Sequence, residues 1–366
     1  MKHLLLVIAA LVLCLGASAS DPFNNYQWNK ANHENKSGLV DEKPWFEWWY
    51  YKVVIPETEK AYYFVYGVVN PWDREMGLES SRSYIGFGDF EKRITTDNHY
   101  AIDEFNALYD QTSVSLPMGY ATDQTLIGQV TDEGGRSFSW DIEIQKKWAF
   151  NAEGWILGAG LTDIEWYPAQ ADARCSGKIV SDGELVELKD APCYQDRNWG
   201  TRFPEWWAWI VSNKFDDHPD TALSIGGGQP HVFGIPSFYE GVCIGLKHKG
   251  VEYKWRPMEL DRVKVDINFG RWEITGVSRD RKRKITISAY APPEAFMDLQ
   301  FTTPEGIVFH DYEALLGQVD VQLYTREAFE GWVLIETLHS DYTGIEYGSA
   351  NEHQVKNLFG SHLKLQ

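Results

Sequence analysis

This sequence contains none of the short signatures that announce the commonest enzyme chemistries. No G-x-S-x-G elbow, phosphate-binding loop, dinucleotide fingerprint or H-E-x-x-H pair occurs in its 366 residues, which removes the usual hydrolase, nucleotide and zinc-protease readings. Histidines are scattered; His218, His231 and His248 are the nearest set and lack ligand spacing, so neither a metal nor another cofactor is expected. Positive charge is also short. Lys and Arg number 34 against 53 Asp and Glu, a net charge of −19, which argues against nucleic acid and against anionic membranes. The one dense basic run, Arg279 with Arg281 to Lys284, reads as a hairpin tip. Long apolar runs are missing too, apart from Leu4 to Leu15, which is too short for a stable membrane span.

That run follows Lys2 and His3 and precedes Ala17-Ser18-Ala19, so residues 1–19 read as a signal peptide of a secreted or periplasmic protein. Cys14 is preceded by Leu11-Val12-Leu13, without the small residue expected before a lipid-modified cysteine. Three cysteines then remain: Cys175, Cys193 and Cys243. The Asp182-Gly183 turn between apolar runs predicts a hairpin that could bring Cys175 and Cys193 into a disulfide, permitted by export. Asn35-Lys36-Ser37 is a glycosylation sequon. Residues 20–44 are polar and read as an extended arm, and 351–366 as a polar tail.

Strand patterns dominate the remainder. Ala61 to Val69 is rich in aromatic and branched residues; Phe138, Trp140, Ile142 and Ile144 alternate with polar neighbours, as do Val263, Val265, Ile267 and Phe269, then Trp272 and Ile274, then Ile285 and Ile287. Helical patterns are scarce: Asp97 to Tyr109 predicts a short helix burying Ile102, Phe105 and Leu108 or Tyr109, and Pro293 to Leu299 another turn or two. The class is therefore mainly β, with antiparallel sheets curved into barrels or a sandwich. Glu-Trp-Trp occurs at 47–49 and again at 205–207, each before a β-forming run, which suggests two similar halves. Gly226-Gly-Gly228 lacks a strand-to-helix context and reads as a barrel bend or a close backbone approach.

Sixteen tryptophans exceed what two small cores need, and they could line a cavity for a flat or prenylated ligand or close a barrel. Two phrases, Trp45 to Tyr51 and Tyr194 to Gly200, set an acid among aromatic faces. A carboxyl in such surroundings is poorly solvated and holds its proton near neutral pH, and aromatic faces stabilise a cation without attacking it. Those are the requirements for protonating an alkene and trapping the carbocation internally.

Phe46 to Pro56, Tyr66 to Pro71, Ala191 to Trp209 and Ala222 to Gly228, fading into Gly317 to Glu336, together resemble the tocopherol cyclase family, and with it the carotenoid 1,2-hydratases, AttH-like proteins and fungal pericyclase relatives. The resemblance implies two lipocalin-like antiparallel β-barrel halves with few short helices, at 45–190 and 191–350. It also implies chemistry without a redox cofactor: plant members protonate a prenyl double bond and close a chromanol ring through a phenol oxygen, and hydratase relatives add water instead. The sequence departs from the plant pattern, which has Gly in place of Trp48 and Glu-Lys in place of Asp196-Arg197, and its signal peptide differs from a plastid transit peptide.

The resemblance gives Asp196 the role of general acid, unless it is a turn residue paired with Arg197, which would lower its pKa. Glu47 is an alternate acid or orients a pocket, or else is a buried carboxylate paired with a Lys, Arg or Tyr. Tyr194, Trp48, Tyr50, Trp199 and Trp209 are candidate pocket walls, and Asn198 a candidate holder of the nucleophile oxygen. Strand alternation puts Glu47 and Trp49 on one face and Trp48 and Tyr50 on the other, so only one set can face a cavity. A hydrophobic small molecule is the expected partner. The competing reading is a lipocalin-like carrier that leaves an isoprenoid, pigment or lipid unchanged, and a weaker one is carbohydrate binding on exposed tryptophans.

Overall fold

The computed structural model describes residues 44–71, 77–108, 112–232, 234–237, 240–268 and 270–351. The expected signal peptide, the arm up to residue 43, the tail from residue 352, Tyr109 and Phe269 lie outside them. The first half forms strands β1 (Phe46–Ile55), β2 (Lys60–Val69), β3 (Arg82–Asp89), β4 (Ile94–Tyr100), β5 (Asn106–Ala107), β6 (Ser113–Leu116), β7 (Gly119–Thr122), β8 (Thr125–Thr131), β9 (Ser137–Trp148), β10 (Ile164–Ser181) and β11 (Glu184–Gly200). All eleven make one antiparallel sheet in the order β4-β3-β2-β1-β11-β10-β9-β8-β7-β6-β5. The sheet curls on itself: Asn98 of β4 both donates to the Thr131 carbonyl of β8 and accepts from its N–H, each at 2.9 Å.

The second half contributes β12 (Trp206–Ser212), β13 (Ala222–Gly228), β14 (His231–Val232), β15 (Ile235–Pro236), β16 (Gly241–His248), β17 (Val251–Trp255), β18 (Arg262–Asn268), β19 (Arg271–Val277), β20 (Arg283–Tyr290), β21 (Met297–Asp298), β22 (Phe301–Thr302), β23 (Val308–Glu327) and β24 (Gly331–Ser349). Its main order is β17-β16-β13-β12-β24-β23-β20-β19-β18. The fold is thus mainly β with two barrel-like sheets. In each, the first strand pairs with both the second and the last: β1 with β2 and β11, β12 with β13 and β24.

Two expectations are corrected. The division at 190/191 falls inside β11, which completes the first sheet by pairing with both β1 and β10; the chain changes sheets between Gly200 and Trp206. The described part of the expected helix, Asp97 to Leu108, is not helical. Ile94–Tyr100 continues the sheet and only Ile102–Glu104 makes a 3-10 turn, which still buries Ile102 and Phe105 while Leu108 stays exposed. Pro293–Ala295 is likewise one 3-10 turn leading into β21.

Side-chain alternation sorts the apolar residues into three cores. Inward positions Trp49, Tyr51, Val53 and Ile55 fill the first barrel with Phe64, Phe87 and Trp140, and Ala208, Ile210, Trp255 and Trp272 fill the second. Outward positions Phe46, Trp48, Tyr63 and Val65 meet Trp209, Val211, Leu299, Phe309 and Leu315 between the barrels. This third core, built from the backs of two sheets, contains the cavity described next. The hairpin of β10 and β11 turns at Asp182 and Gly183, both at positive φ, and Cys175 and Cys193 on its arms form a disulfide with a Cα–Cα distance of 5.8 Å.

Candidate active site between the barrels

A cavity of about 370 Å³ opens between the two outward faces. Strands supply its floor: Trp48 and Tyr50 from β1, Tyr63 and Val65 from β2, Trp166 from β10, Asp196 and Asn198 from β11, Trp207 and Trp209 from β12. Loop residues Ile156, Thr162, Pro230, Ser237 and Met258 complete it.

Asp196 is 4% exposed. Its Oδ2 accepts hydrogen bonds from Trp166 Nε1–H at 2.8 Å and from Tyr194 Oη–H at 2.9 Å. Burial pushes its pKa up to about 7, although the two donors act in the opposite direction. Tyr194 is fixed in turn by Trp209, whose Nε1–H donates to its hydroxyl at 3.2 Å. Asn198 Nδ2–H donates a longer bond to the other oxygen, Oδ1, at 3.4 Å. Oδ2 accepts two bonds and Oδ1 only this long one, so Oδ1 is the oxygen better able to carry a proton, and the donors stabilise the carboxylate when that proton is absent.

Trp166 reaches Asp196 because the opposing strand has no side chain in its way. A Cβ on Gly226 would lie 2.6 Å from the Trp166 ring. The glycine run is therefore a close approach, and it seats the indole that hydrogen-bonds Asp196.

Arg197 does not pair with Asp196. Consecutive strand residues point to opposite faces, so Arg197 enters the first barrel, where it is fully buried and forms an ion pair with Glu47, its Nε–H donating to Oε1 at 2.8 Å. The guanidinium lies 4.4 Å from the Trp199 ring and 5.7 Å from that of Trp49. Of the residues singled out in the sequence, the structure brings Asp196, Trp48, Tyr50, Asn198 and Trp209 to the cavity, with Tyr194 directly behind the acid. Glu47 and Trp199 it leaves inside the first barrel.

Sequence reasoning missed the opposite wall. Asp311 and Glu346 of the second barrel also line the cavity, and Glu313 lies buried behind Tyr50, whose hydroxyl donates to it across the two barrels. Burial holds all three carboxyls well above the usual carboxylate range. Lys52, 2% exposed, contributes the nearby cation; its Nζ lies 3.5 Å from the carbonyls of Val211 and Tyr342, and burial pulls its pKa down to about 7 despite the attraction of Glu313. Asp311-x-Glu313 inside the apolar run of β23 was the available signal, because acids two apart on a strand share one face. Glu165-Trp166, a third acid–tryptophan step, was another. Among the described residues, Asp216, His339 and Asp341 are close enough to hold a cation, but they are largely exposed and line no part of the cavity.

Among solved structures, CghA superimposes with a TM-score of 0.51 at 9% identity, over 84% of this chain and 88% of that one. Kievitone hydratase from Nectria haematococca gives 0.48 at 10% identity over 83% and 88%. Among curated sequences, the probable chloroplastic tocopherol cyclase of Oryza sativa subsp. japonica is 25% identical over 78% of this chain and 71% of its own length. The tocopherol cyclase-like family model matches residues 79–349. That match takes in β3 to β24, all of the second sheet and all of the first except β1 and β2, and the chain belongs to the tocopherol cyclase-like family.

Proposed function

We propose that this protein protonates a carbon–carbon double bond of a prenylated or other isoprenoid substrate and lets an oxygen nucleophile capture the carbocation, by cyclisation or by hydration. The observation that carries this reading is the placement of Asp196: a buried carboxyl whose pKa burial pushes up to about 7, oriented by Trp166 and Tyr194, facing an aromatic cavity and separated from Arg197 by strand alternation. In the proposed step the Asp196 Oδ1–H bond breaks, the π electrons form a new C–H bond, and the cation develops against Trp48, Trp207 and Trp209. No electrons are gained or lost overall, so the step calls for no redox group.

The rice relative's name points to a prenylated phenol as nucleophile and electrophile in one molecule. Trp48 stacks on Phe301, ring centroids 6.1 Å apart, and narrows that side of the cavity, which favours a slim chain over a wide bicyclic product. We also read the chain as exported, on the apolar segment 4–15 and its Ala17-Ser18-Ala19 site; the Cys175–Cys193 disulfide supports an oxidising compartment.

The test is incubation with prenylated phenols and acyclic terpenoids in deuterated water. Deuterium on carbon of a cyclised or hydrated product is expected, and its disappearance in Asp196→Asn identifies the donor. A bound hydrophobic ligand recovered chemically unchanged from both proteins makes this a carrier and sinks the proposal.

A further inference from the structure

Protonation by Asp196 leaves one proton without a destination, the one on the oxygen that captures the cation. We propose that Asp311 and Glu346, a hydrogen-bonded carboxyl pair on the second barrel, receive it. This rests on the reading above and assigns the second half of the same reaction.

The pair is placed by strand register. Glu346 lies opposite Trp209 on β12 and opposite Glu313 on β23, and Asp311 opposite Gly348. A Cβ on Gly348 would lie 2.4 Å from the Trp207 ring, so the glycine makes room for the indole whose Nε1–H donates to Asp311 Oδ1 at 3.1 Å. Asp311 and Glu346 hydrogen-bond each other through their side chains, which requires one of them to hold a proton and leaves the other able to accept. Burial raises both carboxyls, and the charge of Asp311 raises Glu346 further.

The pair and the acid are coupled through aromatic groups instead of touching. Asp196 accepts from Tyr194, Tyr194 accepts from Trp209, and Trp209 is the cross-strand partner of Glu346. On the other side Tyr50, the cross-strand partner of Asp196, donates to Glu313, the cross-strand partner of Glu346. Glu313 and Asp298 act on Asp311 and Asp196 acts on Glu346, while Lys52 offsets the charge of Glu313 beside them.

The balance closes. After Asp196 has protonated the alkene, a lone pair of the phenol or water oxygen forms the C–O bond, its O–H bond breaks, and the proton passes to the unprotonated oxygen of the pair. The pair then returns the proton to solvent and Asp196 takes one up as product leaves, with no net change of charge or oxidation state.

The test uses full-length Glu346→Gln and Asp311→Asn with a prenylated phenol in deuterated water, reading both product and recovered substrate. Product should fall at least ~10²-fold, while deuterium still enters the prenyl end of recovered or double-bond-shifted substrate, because the cation forms and collapses without capture. Wild-type product yield in both variants overturns the inference. So does loss of product and label together in both, which would put the pair in the protonation step or in the fold. Failure of the underlying reading looks different: no label on any carbon with the wild-type protein.

Discussion

The two barrels begin with the same three residues and use them oppositely. In the first, Glu47 and Trp49 point inward and Trp48 outward; in the second, Trp206 points inward and Trp207 outward, while Glu205 precedes the strand. Trp48 and Trp207 therefore meet on the cavity face, ring centroids 6.3 Å apart, although the repeated phrase is one residue out of step. On the first barrel's side Asp196 is held by neutral donors, and Glu165 of β10 and the loop residue Glu153 also line the cavity. The second barrel sends three, Asp311, Glu313 and Glu346. An isolated buried acid is tuned by desolvation and gives up one proton; acids placed together repel, and share one. A pair of similar sheets thus arrives at two different carboxyl environments through the company each carboxyl keeps.

The sharpest break in this comparison is Asp196→Asn, which should lower turnover on the order of 10²- to 10⁴-fold while the second barrel's acids remain in place; steady-state rates on a turned-over prenyl substrate check it. Next is Arg197→Met. It strands Glu47 in the first barrel's interior and should destabilise by about 3–5 kcal/mol, seen as a melting temperature lower by on the order of 10 °C, with the second barrel's face untouched. Gly226→Ala should cost about 1–3 kcal/mol through the clash with Trp166. Because it pushes the indole off Asp196, it should also move the alkaline limb of the activity profile, a shift that a merely looser fold would not give. The smallest effect concerns pH. Asp196 has its folded pKa raised from 3.8 to about 7, so its contribution to stability is fully present below about 4 and is lost as pH rises through about 7. Thermal melts should show Asp196→Asn more stable than the wild type at pH 8 and equal to it at pH 4.

Much of the sheet was legible because period-two alternation and the Asp182-Gly183 turn are local signals. The helix expected near Ile102 failed for the same reason: Ile102 and Phe105 have helical spacing, but the preceding strand and the loop's burial against the first core decide the backbone. Asp196 was legible as an acid among aromatics. Its freedom from Arg197 was not, since alternation tells that the two diverge only once the strand is known to run unbroken through Tyr194 to Gly200. The acids at 311, 313 and 346 were hidden because their meaning depends on two strands far apart in sequence meeting the back of another barrel.

The cavity lies outside both barrel cores, and this has a consequence for how the protein can change. Along β1 and β11 the cavity-lining residues Trp48, Tyr50, Asp196 and Asn198 alternate with residues buried in the first barrel. Substitutions at those lining positions would reshape the cavity and the packing between the barrels while leaving the first barrel's interior side chains in place.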